Sequence, residues 1–378
     1  MSTTARASGS LWIASSSGSE SVSALDIRPI ALWVVPVSEL GGVARHVLDA
    51  LGTGIPGWRG VLLCPPGRLS EAAKETGIAV VTGPVSPADG IRAAVREIRR
   101  TVTKLRPAVV HSHLAYADVT VAMATTGLPV RRVTTEHGIA GDDLVYHGTE
   151  WRSRARALAH AGRLRRTDAL IAVTQSTMDV VRAKWNPPPG LSMTVILNGV
   201  DPLPEPPEQR AGLHVVSLAR LAPEKGLHEL VRSFALVARE HPEARLTLAG
   251  EGPLEGDLRS LIAQLSLSGI VDLPGHVDAQ DLLGRAHVLA QLSLWENGSY
   301  SLLDAQVHGL GVVATPVGGN PELIPEDCLV DRRDHAAVAQ MLVAQGLQIR
   351  ARPRLRADWP TMVSMCESIG RVYAAVHA

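Results

Sequence analysis

The chain has 378 residues, enough for two domains, and 46% of them are apolar, which supports substantial cores. Its 37 basic side chains balance 37 acidic ones, and this neutrality argues against a nucleic-acid partner. The charge is unevenly spread, because residues 1–203 carry 22 Lys and Arg against 16 Asp and Glu, whereas residues 204–378 carry 15 against 21. The basic first half therefore favours an anionic acceptor or an anionic membrane surface.

Cysteine usage and the chain start indicate the compartment. Cys64, Cys328 and Cys366 are scattered without metal-site spacing, and we interpret them as reduced, structural thiols of a cytoplasmic protein. No apolar run approaches the ~20 residues that a membrane-spanning helix needs. Residues 1–25 are rich in Ser and Gly, lack the apolar core of a signal peptide, and are predicted to form a disordered tail.

In the first half of the chain, apolar runs of strand length alternate with helical patterns, which predicts a doubly wound sheet. Residues 30–35 form the first run, and Gly41 and Gly42 follow it before a helix, where glycines let a ligand approach the backbone closely. The fingerprint G-x-G-x-x-G is absent, so dinucleotide binding is not supported. Further strands are predicted within residues 60–63, 108–113, 131–138 and 169–176.

Three histidines, His111, His113 and His137, lie at predicted strand ends, where doubly wound sheets bind their ligands. For His111 and His113, packing inside a loop is an equally good interpretation. Two histidines at this spacing also occur in metal sites, but no third ligand follows at a useful spacing, and strand residues i and i+2 point the same way without a metal. The pair Asp142-Asp143 is interpreted as a solvated turn.

Arginines are concentrated in two predicted helices of the first half. The helix over residues 151–166 carries six of them, and the amphipathic helix over residues 89–105 is also basic. Their basic side chains form either an ordinary solvated face or a peripheral contact with anionic lipid. The residues concerned are Arg96, Arg99, Arg100, Lys104, Arg106, Arg152, Arg154, Arg156, Arg163, Arg165 and Arg166.

A proline-rich stretch over residues 204–210 predicts an interdomain linker, because proline is poorly tolerated inside helices and strands. It separates a first domain, residues 26–203, from a second domain, residues 211–357. An amphipathic helix over residues 358–378 completes the chain.

The second domain carries charged residues at positions suited to an anionic ligand. Arg220 and Lys225 flank a turn after a predicted strand, offering a planar fork and a compact charge to phosphate oxygens. Glu296 precedes a predicted helix over residues 300–308, whose N-terminal N–H groups and dipole favour an anion. Asp304, a little over two turns further on, lies on the same side of that helix. Acids beside an anion-attracting helix start suit a sugar nucleotide.

These segments, taken in order, resemble glycosyltransferase family 4, retaining enzymes of the GT-B fold. The resemblance covers roughly residues 30–375, and Asp304 departs from it, because the family usually has Glu there. The matching segments are the glycine loop at Gly41-Gly42, the strand-end histidine at His137, N-G-V-D at residues 198–201, R-x4-K at Arg220 and Lys225, G-x-G-P at residues 250–253, E-x7-E at Glu296 and Asp304, and V-G-G-x-P-E-L-I at residues 317–324.

The resemblance implies an α/β fold, GT-B, in which two Rossmann-like doubly wound domains face each other across a cleft and the last helix crosses back to the first domain. It implies retaining transfer of a hexose-type sugar from a UDP or GDP sugar to a hydroxyl acceptor, in polysaccharide or glycolipid assembly. No metal and no other cofactor are expected. The acceptor is expected to be a cell-surface or lipid-linked molecule, reached at the inner face of the membrane.

The resemblance also assigns roles to residues. Arg220 and Lys225 hold the donor diphosphate, Glu296 fixes the sugar hydroxyls, and His137 faces the donor sugar; these four form the catalytic set. Asp304 accepts hydrogen bonds from the ribose. The remaining donor-side residues are Gly41, Gly42, Gly250, Val277, Asn297, Gly298, Ser299 and Tyr300.

Two rival functions use the same fold. A non-catalytic nucleotide-sugar-binding or scaffold protein is supported only by Asp304, and a sugar-nucleotide epimerase would need no acceptor.

Overall fold

The structure is a computed structural model that describes residues 27–138, 160–205 and 208–378. Two parallel β-sheets follow one another along the chain, each flanked by helices. The predicted α/β architecture of two Rossmann-like doubly wound domains is therefore confirmed. The tail over residues 1–25, the pair Asp142-Asp143 and most of the arginine-rich segment 151–166 lie outside the described residues.

The first sheet has seven strands in the order β3-β2-β1-β4-β5-β6-β7. Its strands are β1 Ile30–Val34, β2 Arg59–Cys64, β3 Val80–Thr82, β4 Val109–His113, β5 Arg131–Glu136, β6 Ala169–Ala172 and β7 Ser192–Val195. The described helices between them are α1 Gly42–Thr53, α2 Arg68–Glu75, α3 Ile91–Leu105, α4 Ala115–Ala124 and α5 Gln175–Trp185.

The second sheet has five strands in the order β10-β9-β8-β11-β12. Its strands are β8 His214–Leu218, β9 Arg245–Ala249, β10 Val271–Gly275, β11 Val288–Gln291 and β12 Gly311–Ala314. The helices are α6 Leu227–Glu240, α7 Glu255–Gln264, α8 Ala279–Arg285, α9 Tyr300–Val307, α10 Asn320–Leu323, α11 His335–Leu347 and α12 Met362–His377.

Burial on both faces explains why the central strand β1 and the edge strand β12 are continuous apolar runs. Residues 31–34 of β1 and residues 311–314 of β12 are all buried, as expected for parallel strands covered by helices on both sides. The three cysteines are free and buried, as predicted. Burial raises the pKa of the Cys64 and Cys366 thiols to about 11, so both remain protonated at neutral pH.

The terminal helix α12 packs on the first domain. Its residues Met365, Ile369 and Tyr373 share a core with Val47 and Trp58. The helix begins at Met362, later than the predicted start at residue 358, because the Thr361 side chain accepts a hydrogen bond from the N–H of Ser364 and caps it.

Two other predictions need correction. Helix α3 begins at Ile91 and not at residue 89, because Gly90 has φ +80° and ends a 3-10 turn over Pro87–Asp89. Arg163 does not belong to an exposed basic face. Its side chain is buried and ion-paired with Asp118 and Glu136. Across the described part of the chain, no helix is both long enough and apolar enough to span a bilayer.

Candidate active site

The predicted site residues collect at the carboxyl ends of the strands. Strand order reverses between β1 and β4 in the first sheet and between β8 and β11 in the second. In doubly wound sheets, such reversals open the crevice that binds ligands. Gly41 and His113 follow the strands that flank the first reversal, and Arg220 and Glu296 follow those that flank the second.

Lys225 and Glu296 are brought together beside the second reversal. The Lys225 ammonium donates a short hydrogen bond to Glu296 Oε1, which also accepts one from Ser293 Oγ at 2.8 Å. Both side chains are largely buried, with 20% and 13% of their surface exposed. An anionic ligand entering the crevice would therefore compete with Glu296 for the ammonium group.

Arg220 is more open to solvent than Lys225. Its guanidinium forms an ion pair with the buried carboxylate of Glu224, yet 65% of the side chain is exposed. The remaining guanidinium donors can reach a ligand, whereas Lys225 is already fixed in place. The structure therefore places the two predicted phosphate-binding cations on one turn, in different environments.

Close backbone packing holds the Glu296 loop. Gly318 has φ +53°, and a Cβ added there would lie 1.7 Å from the carbonyl oxygen of Glu296. The N–H of Gly319 donates to the same oxygen at 3.3 Å. The V-G-G run therefore supports the Glu296 backbone directly, and a larger residue at Gly318 would displace it.

Three histidines, His46, His111 and His113, pack around Trp33 in the first domain, and His137 packs against His46 and His113. The His111 ring bonds to Tyr373 Oη at 2.5 Å and to Thr135 Oγ1 at 2.7 Å, so both of its nitrogens have partners. His111 and His113 do not form a pair of free ligands, and His46 and His137 are the histidines that approach His113 in space.

Burial keeps these imidazoles neutral. Desolvation lowers the pKa of His46 to about 4 and lowers the pKa of His113 and His137 well below the ordinary value. His113 Nδ1 and His137 Nε2 are 2.8 Å apart and share one hydrogen. At neutral pH these rings therefore act as uncharged hydrogen-bonding groups.

The segment after His137 borders the Glu296 loop of the other domain. A Cβ built on Gly138 would lie 3.4 Å from Asn297 Nδ2 and 3.4 Å from the Trp295 ring. The predicted strand-end histidine and the predicted acidic loop therefore meet across the cleft.

Three residues that were predicted to bind the sugar donor make contacts between the domains. Asn297 Oδ1 accepts from Thr177 Oγ1 at 2.8 Å, and the carbonyl of Gly298 accepts from Asn198 Nδ2 at 2.7 Å. The Tyr300 hydroxyl is 3.2 Å from His46 Nδ1. Their side chains or carbonyls are thus engaged in joining the two domains. Ser299 caps α9 by accepting a hydrogen bond from the Leu302 N–H.

Arg45 of the first domain binds the carboxylate of Asp304 in the second domain. The guanidinium makes two hydrogen bonds to the carboxylate, one of them 2.9 Å long between Nη2 and Oδ1, and it also pairs with Asp49. Burial alone would lower the pKa of Arg45, but bonding to Asp304 and the acids' charges raise it. The pair borders a cavity of about 450 Å³ between the domains.

The glycine loop leaves room for a ligand. A Cβ added to Gly41 or Gly42 would meet no atom of the described residues within 4 Å. Gly41 immediately precedes α1, where the first N–H groups of the helix have no intrahelical partner and no side-chain cap from Gly41. In the second domain, Gly250 follows β9 and its N–H donates to the Gly275 carbonyl at 2.8 Å, two residues before the half-buried Val277.

Sequence reasoning missed four functional contacts, those of Arg45, His46, Asn198 and Glu322. The Glu322 carboxylate accepts hydrogen bonds from the N–H groups of Gln175 and Ser176 at 2.7 and 2.6 Å, and so caps a helix of the other domain. Glu322 lies in the V-G-G-x-P-E-L-I run and Asn198 in the N-G-V-D run, so the motifs were visible although their interdomain role was not.

Two family models match the chain, one in each domain. Residues 40–202 match the model described as Glycosyltransferase Family 4. Residues 212–344 match the model described as Glycosyl transferases group 1. Gly41, His137, Arg220, Lys225 and Glu296 all lie within these ranges.

Individual proteins are similar as well. A human phosphatidylinositol N-acetylglucosaminyltransferase subunit is 27% identical over 243 residues, which is 62% of this chain and 48% of the relative. The putative colanic acid biosynthesis glycosyltransferase WcaL of Escherichia coli (strain K12) is 33% identical over 144 residues, 35% of this chain and 36% of the relative. The chain thus spans about half, or less, of the length of these curated relatives.

The fold is also found in solved structures. The crystal structure of Anabaena HepE in complex with UDP and glucose superposes with a TM-score of 0.72 at 18% identity, and the match covers 92% of this chain and 96% of that one. The likeness at this identity concerns the arrangement of the two domains.

Proposed function

The chain belongs to glycosyltransferase family 4, with the GT-B fold, and from this premise we propose that it transfers a hexose-type sugar from a UDP or GDP sugar to a hydroxyl acceptor with retention of configuration. The observation that carries the proposal is the pairing of Lys225 with Glu296 beside the crevice of the second sheet. A cation for the diphosphate and an acid for the sugar hydroxyls are adjacent there. HepE, solved with UDP and glucose, supports a nucleotide-sugar donor.

In the proposed reaction, electrostatic stabilisation is the main task of the second domain. Lys225 releases Glu296 when the donor diphosphate arrives, and together with Arg220 neutralises the charge that grows on the leaving group. Glu296, freed from the ammonium, accepts hydrogen bonds from the sugar hydroxyls and orients the reacting carbon. Gly41 and Gly42 line the crevice next to both the donor phosphate and the acceptor.

His137 supports the donor sugar as a neutral ring in this scheme. The hydrogen it shares with His113 fixes the orientation of the imidazole, so the ring's other nitrogen is the one available to a sugar hydroxyl. Asp304 reaches the ribose while still held by Arg45, since a carboxylate has lone pairs for more than one donor. No metal ion or other cofactor is required for the transfer.

The acceptor is proposed to be lipid-linked or part of a cell-surface polysaccharide, and the enzyme is proposed to work on the cytoplasmic side of the membrane as a peripheral protein. Helix α3 supports this with a row of exposed basic side chains. Two relatives named for phosphatidylinositol and for colanic acid fit such acceptors. The row consists of Arg92, Arg96, Arg99, Arg100 and Lys104.

A donor screen tests the central proposal. Thermal shift with UDP, GDP and ADP sugars should raise the melting temperature for one base, because a ligand that binds only the folded state stabilises it by mass action. The selected donor should then be consumed in the presence of lipid or saccharide acceptors. Binding without transfer or hydrolysis would favour the scaffold function, and release of free nucleotide with an epimerised sugar and no acceptor would favour the epimerase.

Vesicle flotation tests the membrane contact. The protein should float with vesicles that contain anionic lipid and not with neutral ones, and the double variant R96E/K104E should lose this binding. The variant R259E, which changes an exposed arginine of the second domain, is the matched control and should float normally. Equal binding to both vesicle types would contradict the proposal.

A further inference from the structure

Three histidines from separate parts of the first domain converge at the end of its sheet. His46 comes from α1, His113 ends β4, and His137 follows β5. Each histidine contributes one ring nitrogen, and these three nitrogens lie within 4.8 Å of one another. We propose that His46, His113 and His137 form a capture site for a divalent transition-metal ion of the zinc class.

The hydrogen bonds of His46 favour this assignment. Its Nδ1 is 3.2 Å from Asn198 Oδ1, whereas its Nε2 is buried and has no hydrogen-bond partner among the described residues. Metal-binding histidines characteristically donate one ring N–H to a protein oxygen and present the other nitrogen to the ion. The Asn198 oxygen therefore favours the Nδ1–H tautomer of His46, which a metal ion needs, and the Tyr300 hydroxyl lies at the same 3.2 Å from Nδ1.

His113 would bind the ion through Nδ1, and its second ring nitrogen can take the displaced hydrogen. Its Nε2 is buried and without a partner in the described part of the chain, and Trp33 stacks on the ring with centroids 4.6 Å apart. Trp33 thus holds the ring in place. His111 is excluded from the site, because Tyr373 and Thr135 occupy both of its nitrogens.

Metal capture needs the three rings to move, because their nitrogens lie within 4.8 Å of one another and metal–nitrogen bonds of about 2.0–2.1 Å set a spacing of ~3.3 Å. The hydrogen between His113 Nδ1 and His137 Nε2 moves to His113 Nε2, and these two nitrogens separate from 2.8 Å. Three neutral imidazoles then bind the ion without net loss of a proton. Imidazole sets of this kind suit Zn²⁺, Co²⁺ and Ni²⁺. A fourth position remains for water.

The site has a consequence that rests on the proposed function. An ion bound at His137 Nε2 would pull that ring toward His46 and His113, away from the position in which its other nitrogen meets the donor sugar, so the metal would inhibit the proposed metal-independent transfer. Metal binding and sugar transfer are measured separately, so failure of one does not decide the other.

Titration of the untagged, chelator-treated protein with Co²⁺ tests the proposal. We expect one equivalent to bind with the intense visible absorption of a tetrahedral site, and Zn²⁺ to displace it. The variants H46Q and H137Q should each weaken binding by about 100-fold or more. Thermal melting verifies that both are folded, and H276Q, which changes an exposed histidine, should bind as the unaltered protein does.

Two results would contradict the proposed metal site. Absence of stoichiometric Co²⁺ uptake by the unaltered protein overturns the site, as does uptake that neither H46Q nor H137Q reduces. If the ion binds and transfer continues at the same rate, the metal site stands and the role of His137 in transfer is wrong.

Discussion

Arg45 and Asp304 are 259 residues apart in the sequence, yet two hydrogen bonds join their side chains across the boundary between the domains. Arg45 also lies over the Tyr300 ring, 4.4 Å from its centroid. Helix α1 of the first domain is therefore fastened to helix α9 of the second, whose N-terminus adjoins Glu296. The relative position of the two domains thus depends on the Arg45–Asp304 pair, which adjoins the proposed site for the sugar donor.

The double variant R45M/D304N should lose less stability than the sum of the losses in the two single variants. For R45M, D304N and the double variant, we expect a coupling free energy of about 1–2 kcal/mol, between the values of exposed and buried pairs, because Arg45 is partly exposed and Asp304 is not. Urea denaturation measures it. The exposed pair Arg259–Glu255 is the matched control and should give about 0.5 kcal/mol or less. Equal couplings for the two pairs would refute a structural role for Arg45.

The Lys225–Glu296 ion pair predicts a separation of binding from turnover. In K225A, affinity for the nucleoside diphosphate should fall and transfer should slow by about 10²–10³-fold, because a preorganised charge on the leaving group is lost. In E296A, transfer should fall comparably while nucleotide affinity is unchanged or higher, since Glu296 no longer competes for the ammonium. Calorimetric titration with the nucleotide and initial rates distinguish the two.

R259A controls for loss of one positive charge elsewhere in the second domain, and it should leave both quantities unaltered. Full transfer activity in both K225A and E296A would mean that the reaction takes place elsewhere.

Much of the fold was predictable because buried parallel strands have a simple signature. The central strand over residues 30–34 is an apolar run without alternation, and so is the edge strand over residues 311–314. Helices cover both strands. Lys225 and Glu296 could also be anticipated, since both follow strands that border the same crevice. Their placement follows from sheet topology, which the alternation of strands and helices specifies.

What the sequence did not predict depends on contacts between distant segments. The Arg45–Asp304 pair requires the orientation of one domain against the other, which no local pattern encodes. Arg163 was misjudged because an arginine-rich helix usually faces solvent. Its burial depends on two acids, Asp118 and Glu136, which come from other elements of the domain. The histidine cluster likewise needed the packing of α1 against the sheet.

The Glu296 loop gives a third prediction. In G318A, the new Cβ would meet the Glu296 carbonyl at 1.7 Å, and the positive φ of residue 318 adds strain. We expect a loss of about 1–3 kcal/mol in stability together with a clear loss of transfer. Urea denaturation and initial rates measure the two effects. G256A, at a helical glycine with open space around its Cβ position, should be neutral or slightly stabilising; normal activity in G318A would separate the V-G-G turn from catalysis.

The buried ion cluster of Arg163, Asp118 and Glu136 predicts a pH-dependent defect. Burial raises the pKa of Glu136, an effect that the positive charge of Arg163 opposes. In R163M, two buried carboxylates lose their cation, and we expect a loss of about 3–5 kcal/mol near neutral pH.

The sign of the pH dependence follows from proton linkage. When the folded pKa of an acid lies above its unfolded value, the folded state binds the extra proton, so stability falls as pH rises through that interval. Because loss of Arg163 raises the folded pKa of Glu136 further, the deficit of R163M should shrink toward acid pH and grow toward neutral pH. Urea midpoints of the unaltered protein and R163M, measured from about pH 5 to pH 8, test this, with R165M at an exposed neighbour as the control. A deficit that stays constant over this range would show that the Glu136 carboxylate does not depend on Arg163 for its charge.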